Sequence, residues 1–239
     1  MTFPLINMKT FQHRTDLPKL QSLTTKEMNG KRYYLLPNGM HVPSVTTVLG
    51  HFKKKQIQEW RNRVGHEEAN RISNTASTRG TKFHKLMEKY LDNEPLNSIL
   101  TESVMPTLKE SFYLMKKEVD KSIDNIYYIE APLYSNSMRM AGRTDVIAEY
   151  NGVLSVIDFK TSSREKKEEH IQDYFLQSTA YALMFEERIG KPIEQIVIMM
   201  SSDGIPEPQI FVKNTIDYHE QLLEKIVQYF RENKLPEIQ

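Results

Sequence analysis

The segment GRTDVIAEYNGVLSVIDFKTS, residues 142–162, decides the fold of this chain. Within it, Asn151-Gly152 is typical of a two-residue hairpin turn, in which both central residues take positive φ. A turn of that length fixes the register of the two flanking strands and places Asp145 directly opposite Asp158. The sequence therefore predicts a β-hairpin with two acidic residues that face each other across it.

The predicted hairpin carries charges on a strand face that should be buried. Because side chains alternate between the two faces of a strand, one face holds Asp145, Ile147, Leu154, Val156, Asp158 and Lys160. Two carboxylates about 5 Å apart repel each other and favour a shared proton or a shared cation. Oxygen ligands suit Mg²⁺ or Mn²⁺, and Lys160 is placed to hold an anion beside the metal. The alternative is an ion-paired structural patch on an exposed strand, which the apolar VLSVI run disfavours.

The composition, 39% hydrophobic and 26% charged over 239 residues, is typical of a soluble globular protein. No stretch of 18 consecutive apolar residues occurs, so we expect no transmembrane helix and no membrane partner. The absence of cysteine excludes disulfides, thiol nucleophiles and an iron–sulfur cluster. The first residues resemble neither a secretory signal nor an arginine-rich presequence. We therefore expect a cytoplasmic protein of a bacterium or a phage-infected cell rather than a mitochondrial one, and we expect a monomer.

Positive charge is concentrated between His51 and Tyr90, although the net charge of the chain is only +1. This stretch holds ten lysines and arginines against four glutamates. A local basic excess is typical of a phosphate-binding surface, and aromatic side chains within it offer stacking platforms for bases. The alternative, a solvated helix face, carries a more even mix of signs. We predict that the substrate is contacted by Lys53, Lys54, Lys55, Trp60, Arg79, Glu88 and Arg143.

The rest of the pattern predicts an α/β protein of the α+β type. Helical periodicity is found in five segments: 56–74, 77–91, 101–122, 172–189 and 215–233. Strand patterns are found in seven segments: 32–36, 40–42, 126–135, 138–150, 153–161, 193–202 and 208–213. The main order is α-βββ-α-β, and its strand–helix–strand step favours a right-handed crossover and hence a mixed sheet.

Two predicted helices carry pairs of polar residues four positions apart, which places each pair on one helix face. The pairs are His84 with Glu88 and Gln177 with Tyr181. A lone helix histidine is more often structural than a ligand, but the metal site predicted nearby makes His84 a candidate nitrogen ligand. The second pair, taken alone, is typical of a surface glutamine beside a core tyrosine.

Five short motifs follow one another along the chain: RGTKFH at 79–84, IEAP at 129–132, GRTD at 142–145, DFKT at 158–161 and QSTAY at 177–181. In this order they resemble the RecB-type branch of the PD-(D/E)XK nuclease superfamily, whereas D-x-K alone occurs by chance. HVPSVTTVL, WRNRVGHEEANRI and the hairpin segment resemble more closely the mitochondrial genome maintenance exonucleases and their phage and bacterial relatives. The resemblance covers roughly residues 32–190.

The resemblance implies a role for each matching position. It implies that Asp145 and Asp158 bind Mg²⁺ or Mn²⁺, with His84 as a further ligand and the backbone carbonyl of Phe159 completing the shell. It also implies that Lys160 positions the attacking water and stabilises the phosphate. Supporting catalytic roles fall to Glu130, Gln177 and Tyr181. Some members bind an iron–sulfur cluster through four cysteines, and these cysteines are absent from this sequence.

The resemblance further implies a restriction-endonuclease-like core and a metal-dependent DNA exonuclease that prefers single strands with free ends. Such an enzyme would act in DNA replication, repair or recombination, together with proteins of those processes. We expect one compact unit with an N-terminal arm at 1–31, a hairpin and helical arch region at 32–76, and a nuclease core at 77–239. Two alternatives stay open: a structure-specific endonuclease on the same fold, and a non-catalytic DNA-binding protein, which the intact acidic pair and Lys160 disfavour.

Overall fold

A computed structural model describes residues 9–233 and begins with a small three-stranded antiparallel sheet. Its strands are β1 (Thr24–Met28), β2 (Lys31–Leu35) and β3 (His41–Pro43), in that order. The strands predicted at 32–36 and 40–42 correspond to β2 and β3. The arm predicted at 1–31 has no predicted strand, but it contains β1. This strand carries no apolar alternation, because four of its five residues are exposed, and it is defined by its pairing with β2.

Three helices follow: α1 (Val45–His51), α2 (Lys54–Val64) and α3 (His66–Leu91). The chain breaks between the last two at Gly65, which has a φ of 88° and a ψ of 144°. The predicted helix bounds at 56–74 and 77–91 are therefore wrong, since the break lies at the glycine and the Ser/Thr-rich tract near residue 76 stays helical. The predicted boundary between the arch region and the core falls inside α3.

Two more helices precede the main sheet: α4 (Leu96–Ile99) and α5 (Pro106–Ser122). A single helix was expected over 101–122. The observed start at Pro106 follows from proline chemistry. The N–H of the first helical residue has no partner within the helix, and proline has no N–H to leave unpaired. Residues ahead of it form a bend and the short α4.

The main sheet is five-stranded and mixed. Its strands, in spatial order, are β4 (Ile123–Ser135), β5 (Met140–Tyr150), β6 (Val153–Ser162), β7 (Gln195–Ser202) and β8 (Gln209–Asn214). Only β6 and β7 run parallel, and they are joined through α6 (Gln172–Ile189), while α7 (Ile216–Glu232) closes the described chain. The predicted α-βββ-α-β order and the mixed sheet are confirmed.

The register of the β5–β6 hairpin is also confirmed. The paired residues run from Tyr150↔Val153 at the turn to Val146↔Ile157. The next pair would be Asp145 and Asp158, but the backbone ladder ends before it. The two aspartates therefore lie where the strands of the hairpin stop pairing.

Helices cover both faces of the main sheet. Ile147 and Val156 are fully buried in the core that contains α6 and α7. Ile157 and Phe159 point the other way, into the core shared with α3 and α5. Between residues 9 and 233, none of the helices is both long and apolar enough to cross a bilayer.

A smaller apolar cluster attaches the N-terminal sheet to the main sheet. Tyr34, Leu36 and Val42 pack there against Tyr134 and Ala141 of β4 and β5. This contact fixes β2 beside the start of β5. It brings the side chains of β2 next to the segment that carries the GRTD motif.

Candidate active site

His84 and Asp145 form the first charged contact of the site. His84 Nδ1 lies 3.1 Å from Asp145 Oδ1, and the other oxygen of that carboxylate accepts a 2.8 Å hydrogen bond from the Phe159 backbone N–H. Burial alone would raise the pKa of Asp145, but the hydrogen bond and charge of His84 outweigh it and lower that pKa. Burial opposes protonation of His84, yet the contact with Asp145 raises its pKa. The two groups thus stabilise each other in their charged forms.

Asp158 and Lys160 form the second contact, deeper in the protein. Lys160 Nζ lies 2.5 Å from Asp158 Oδ2, and the Asp158 side chain is only 3% exposed. Burial and the neighbouring Asp145 raise the pKa of Asp158, although Lys160 opposes the shift. Burial disfavours the ammonium of Lys160, but the two aspartates together raise its pKa. A lysine held in its charged form at the end of a strand is suited to binding an anion.

Glu130 is held on the adjacent strand in an unusual backbone conformation. Its φ is +50°, in the left-handed region, and it interrupts the pairing of β4 with β5 opposite Asp145. Such a conformation costs a residue other than glycine about 1 kcal/mol or more and often marks a functional position. Its carboxylate pairs with Arg143 Nε at 2.7 Å, and burial raises its pKa. The distortion turns Glu130 toward the cluster.

His84, Glu130 and Asp145 together could hold a metal ion. One ligand atom of each lies within 4.8 Å of the others. The predicted ligand Asp158 is not part of this group, and its buried Oδ2 faces Lys160 Nζ at 2.5 Å. One nitrogen and several carboxylate oxygens form a donor set that suits a hard divalent cation. The residues present therefore fit a metal, while the carbonyl of Phe159 as a ligand stays a prediction.

Gly142 and Tyr181 meet at the wall of the site. A Cβ at position 142 would lie 2.7 Å from Cε1 and 2.8 Å from the hydroxyl oxygen of Tyr181, so glycine is required there sterically. The amide of Gln177, one turn earlier on α6, donates to the same hydroxyl at 3.5 Å. This packing explains why a glycine begins the GRTD motif and why the two polar residues of α6 lie on one face.

The site opens into a cleft of about 660 Å³. Predicted site residues supply much of its lining: His84, Glu88, Glu130, Arg143, Asp145, Gln177 and Tyr181. Sequence reasoning missed four further lining residues from the N-terminal sheet and the start of α1: Arg32, Tyr34, Ser44 and Thr46. No spacing rule links them to the motifs, because they reach the cleft only through the packing of β2 against β5.

Sequence reasoning also missed Tyr174. Lys160 Nζ lies 5.0 Å from the centroid of its ring, within the range of a cation–π contact. Lys53 Nζ lies 6.0 Å from the same ring and pairs with Asp173 Oδ2 at 2.6 Å. In the sequence, only the position of Tyr174 one helical turn before Gln177 indicated that it could lie near the site. The tyrosine ring thus lies between the strand lysine and the lysine that precedes α2.

The other predicted substrate contacts lie at different distances from the cleft. Arg79 points elsewhere, with its Nη1 2.5 Å from Asp203 Oδ2. Trp60 is half-buried on α2, a helix that buries none of its side chains fully. Lys54 lines a neighbouring pocket, and Lys55 is exposed. Their contact with a substrate stays a prediction.

Comparisons with known proteins assign this chain to a family. The PD-(D/E)XK nuclease superfamily matches residues 52–239. Curated relatives are named mitochondrial genome maintenance exonuclease 1. The human protein is 26% identical over 214 residues, covering 83% of this chain and 61% of the relative. The mouse protein is 22% identical over 207 residues, covering 81% and 60%. The crystal structure of SSO0001 superposes with a TM-score of 0.42 at 13% identity, covering 82% of this chain and 77% of that chain.

The chain thus spans about three fifths of the length of these curated relatives. The superfamily match covers well over half of the chain. It includes His84 on α3, the strained Glu130 on β4, and both strands that carry the aspartates and Lys160. The chain therefore belongs to the PD-(D/E)XK nuclease superfamily.

Proposed function

We propose that this protein is a metal-dependent DNA exonuclease that degrades single strands from free ends, in DNA replication, repair or recombination. The observation that carries the proposal is the cluster of His84, Glu130 and Asp145 next to the buried Asp158–Lys160 ion pair. Such a constellation serves phosphodiester hydrolysis. The names of the curated relatives support an exonuclease that acts on a genome.

We assign a Mg²⁺ or Mn²⁺ ion to Asp145 and Asp158, with His84 as a further ligand and Glu130 in support. When bound there, such an ion lowers the pKa of a coordinated water and neutralises charge on the phosphate. Asp145 accepts a backbone hydrogen bond from Phe159, which fixes one carboxylate oxygen and orients the other toward His84. The protein therefore holds the donor atoms in place before a ligand arrives.

Lys160 supplies positive charge where negative charge grows on the phosphate in the transition state. Its side chain is only 17% exposed and does not line the cleft, so water around its ammonium is limited. The ring of Tyr174 restricts the positions that the ammonium can occupy. Tyr174 thus acts on Lys160 as a positioning residue.

Gln177, Tyr181 and Gly142 hold the wall of the cleft against which the substrate backbone would lie. Gly142 lets Tyr181 approach the backbone of β5 next to Asp145. We assign Tyr181 and Gln177 to positioning the substrate backbone beside Lys160.

The preference for a single strand is supported by the form of the entrance. The cleft of about 660 Å³ is bounded by the main sheet, α3 and the small N-terminal sheet. The basic α2 stands next to α3, with Arg61 Nη2 donating to Asn70 at 2.7 Å. A cleft bounded on three sides, with a basic helix near it, admits one flexible strand more readily than a rigid duplex.

One experiment tests the proposal. End-labelled linear single strands, blunt duplex and circular single strands would be incubated with Mg²⁺, Mn²⁺ or EDTA. We expect degradation of linear single strands with either metal, little loss of duplex, and resistant circles. Cleavage that persists in EDTA would refute the metal site. Rapid cutting of a covalently closed circle would replace the exonuclease by a structure-specific endonuclease.

A further inference from the structure

A second pocket opens directly beside the catalytic cleft. It has a volume of about 390 Å³ and lies between β2, the end of α1 and the start of α2. Arg32 and Thr46 line both spaces, so these side chains stand between the two. We call this second space the side pocket.

The side pocket is positively charged. Lys31, Arg32 and Lys54 line it against one carboxylate, that of Glu27. Lys31 Nζ donates to the neutral amide oxygen of Asn233 at 3.1 Å, so this bond leaves the charge of the lysine uncompensated. Burial and the charge of Lys54 lower the pKa of Lys31, as expected when two ammonium groups share one pocket. An anion in the pocket would relieve that repulsion.

Arg32 is held at the junction by its backbone. Its carbonyl oxygen accepts hydrogen bonds from the Ser44 N–H at 2.9 Å and from Thr47 Oγ1 at 3.3 Å. Ser44 also caps α1 by accepting from the Thr47 N–H at 3.0 Å. The Arg32 side chain is exposed, and it also lines a third space, between the small sheet, β4 and β5. A rigid backbone thus carries an accessible guanidinium among three neighbouring spaces.

We propose that the side pocket binds one phosphate of the DNA strand outside the scissile position, through the guanidinium of Arg32 with Lys31 and Lys54. The proposal rests on the proposed function, because it names where the strand continues once it leaves the metal site. A guanidinium matches two phosphate oxygens at once, and a pocket of this size accommodates the phosphate with part of its sugar. Arg32 fixes the strand relative to Lys160 without taking part in the chemistry.

A double-mutant cycle between protein and DNA tests this contact. Short single-stranded oligonucleotides would carry one neutral methylphosphonate each, placed at successive positions, and their affinities would be measured in EDTA, so that no cleavage occurs. For the wild type we expect a loss of about tenfold at one position outside the scissile phosphate. In Arg32→Ala the same substitution should cost nothing further, because the contact is already gone. Arg32→Lys should keep part of the coupling.

Lys26→Ala is the matched control, since it removes a positive charge from the same small sheet at an exposed position that does not line the side pocket. It should leave the position-dependent loss unchanged. Equal losses at every modified position in the wild type would overturn the proposal in favour of a diffuse field. Binding of inorganic phosphate that requires Arg32 but does not compete with the oligonucleotide would assign the pocket to a free anion and also overturn it. Cleavage is measured separately. A failed nuclease assay with intact coupling would therefore contradict only the proposed function.

Discussion

The two ends of the β5–β6 hairpin differ in how regularly their strands pair and in the residues they carry. At the turn, Asn151 and Gly152 take φ values of 50° and 79°, and regular pairing continues from there. At the open end the pairing stops, two carboxylates converge, and Glu130 on the neighbouring strand is strained. The turn end satisfies every local preference of its sequence. The open end departs from those preferences where the ligands and the lysine must meet, which is where functional sites are expected to depart.

The sharpest test of this contrast removes the acidic charge at the open end. Asp158→Asn should abolish cleavage, because a lost metal site forfeits several kcal/mol of transition-state stabilisation, or on the order of 10³-fold or more in rate. Cleavage assays in Mg²⁺ would measure this, and EDTA added to the wild type should have the same effect. Oligonucleotide binding in EDTA should be largely retained.

The matched control is Asp124→Asn, an exposed aspartate of the same sheet that pairs with Lys9 at 2.7 Å. It should cleave as the wild type does. If Asp158→Asn retained substantial activity, the open end of the hairpin would not be the catalytic end.

The next largest effect concerns Lys160. Lys160→Met should lower kcat by on the order of 10²–10³, because a positive charge aimed at the developing phosphate charge is lost. Affinity for DNA should change little. Single-turnover kinetics would separate the two quantities, and Lys213→Met on β8, which removes a lysine paired with Glu168 at 2.6 Å, is the control. A variant that binds weakly but turns over normally would make Lys160 a docking residue.

A smaller effect tests the strain at Glu130. Both Glu130→Ala and Glu130→Gly lose the carboxylate that supports the metal, so both should lose about 10–100-fold in activity. The glycine variant should nevertheless be more stable than the alanine variant by about 1 kcal/mol, because glycine adopts positive φ without steric cost. Denaturant unfolding would measure the difference. Equal stabilities would show that the backbone there carries no strain.

The smallest effect on activity is expected at the turn. Gly152→Ala should cost about 1 kcal/mol in the free energy of unfolding, because alanine is disfavoured at the φ of 79°. Within residues 9–233, no heavy atom other than those of its chain neighbours lies within 4 Å of the added Cβ, so the cost comes from the backbone alone. Cleavage per folded molecule should be unchanged. Loss of activity without loss of stability would mean that the two ends of the hairpin are coupled.

The turn end was predictable because local chemistry determines it. An Asn-Gly pair between two apolar strands has few alternatives, and the register it predicts is the one observed. The position of His84 beside Asp145 also followed from the sequence, once a metal site was expected on the hairpin and a family resemblance placed the helix next to it.

What the sequence did not reveal depends on contacts between distant segments. The left-handed backbone of Glu130 arises from a disrupted β4–β5 ladder and has no signature in IEAP. Arg32 enters the cleft only because the small sheet packs on β4 and β5. The break at Gly65 was missed because the helical periodicity continues on both sides of it, and a single glycine is tolerated in many helices.

The length of α3 has a consequence for local opening of the structure. Residues 71–78 are all exposed, whereas the final turns of the same helix bury Phe83, Met87 and Tyr90 in the core. A helical segment without packing is only marginally stable by itself. Its backbone amides should therefore exchange with deuterium through local fraying, whereas those around Met87 exchange only when the whole domain unfolds. One continuous helix would thus span two levels of protection, with His84 close to the boundary between them.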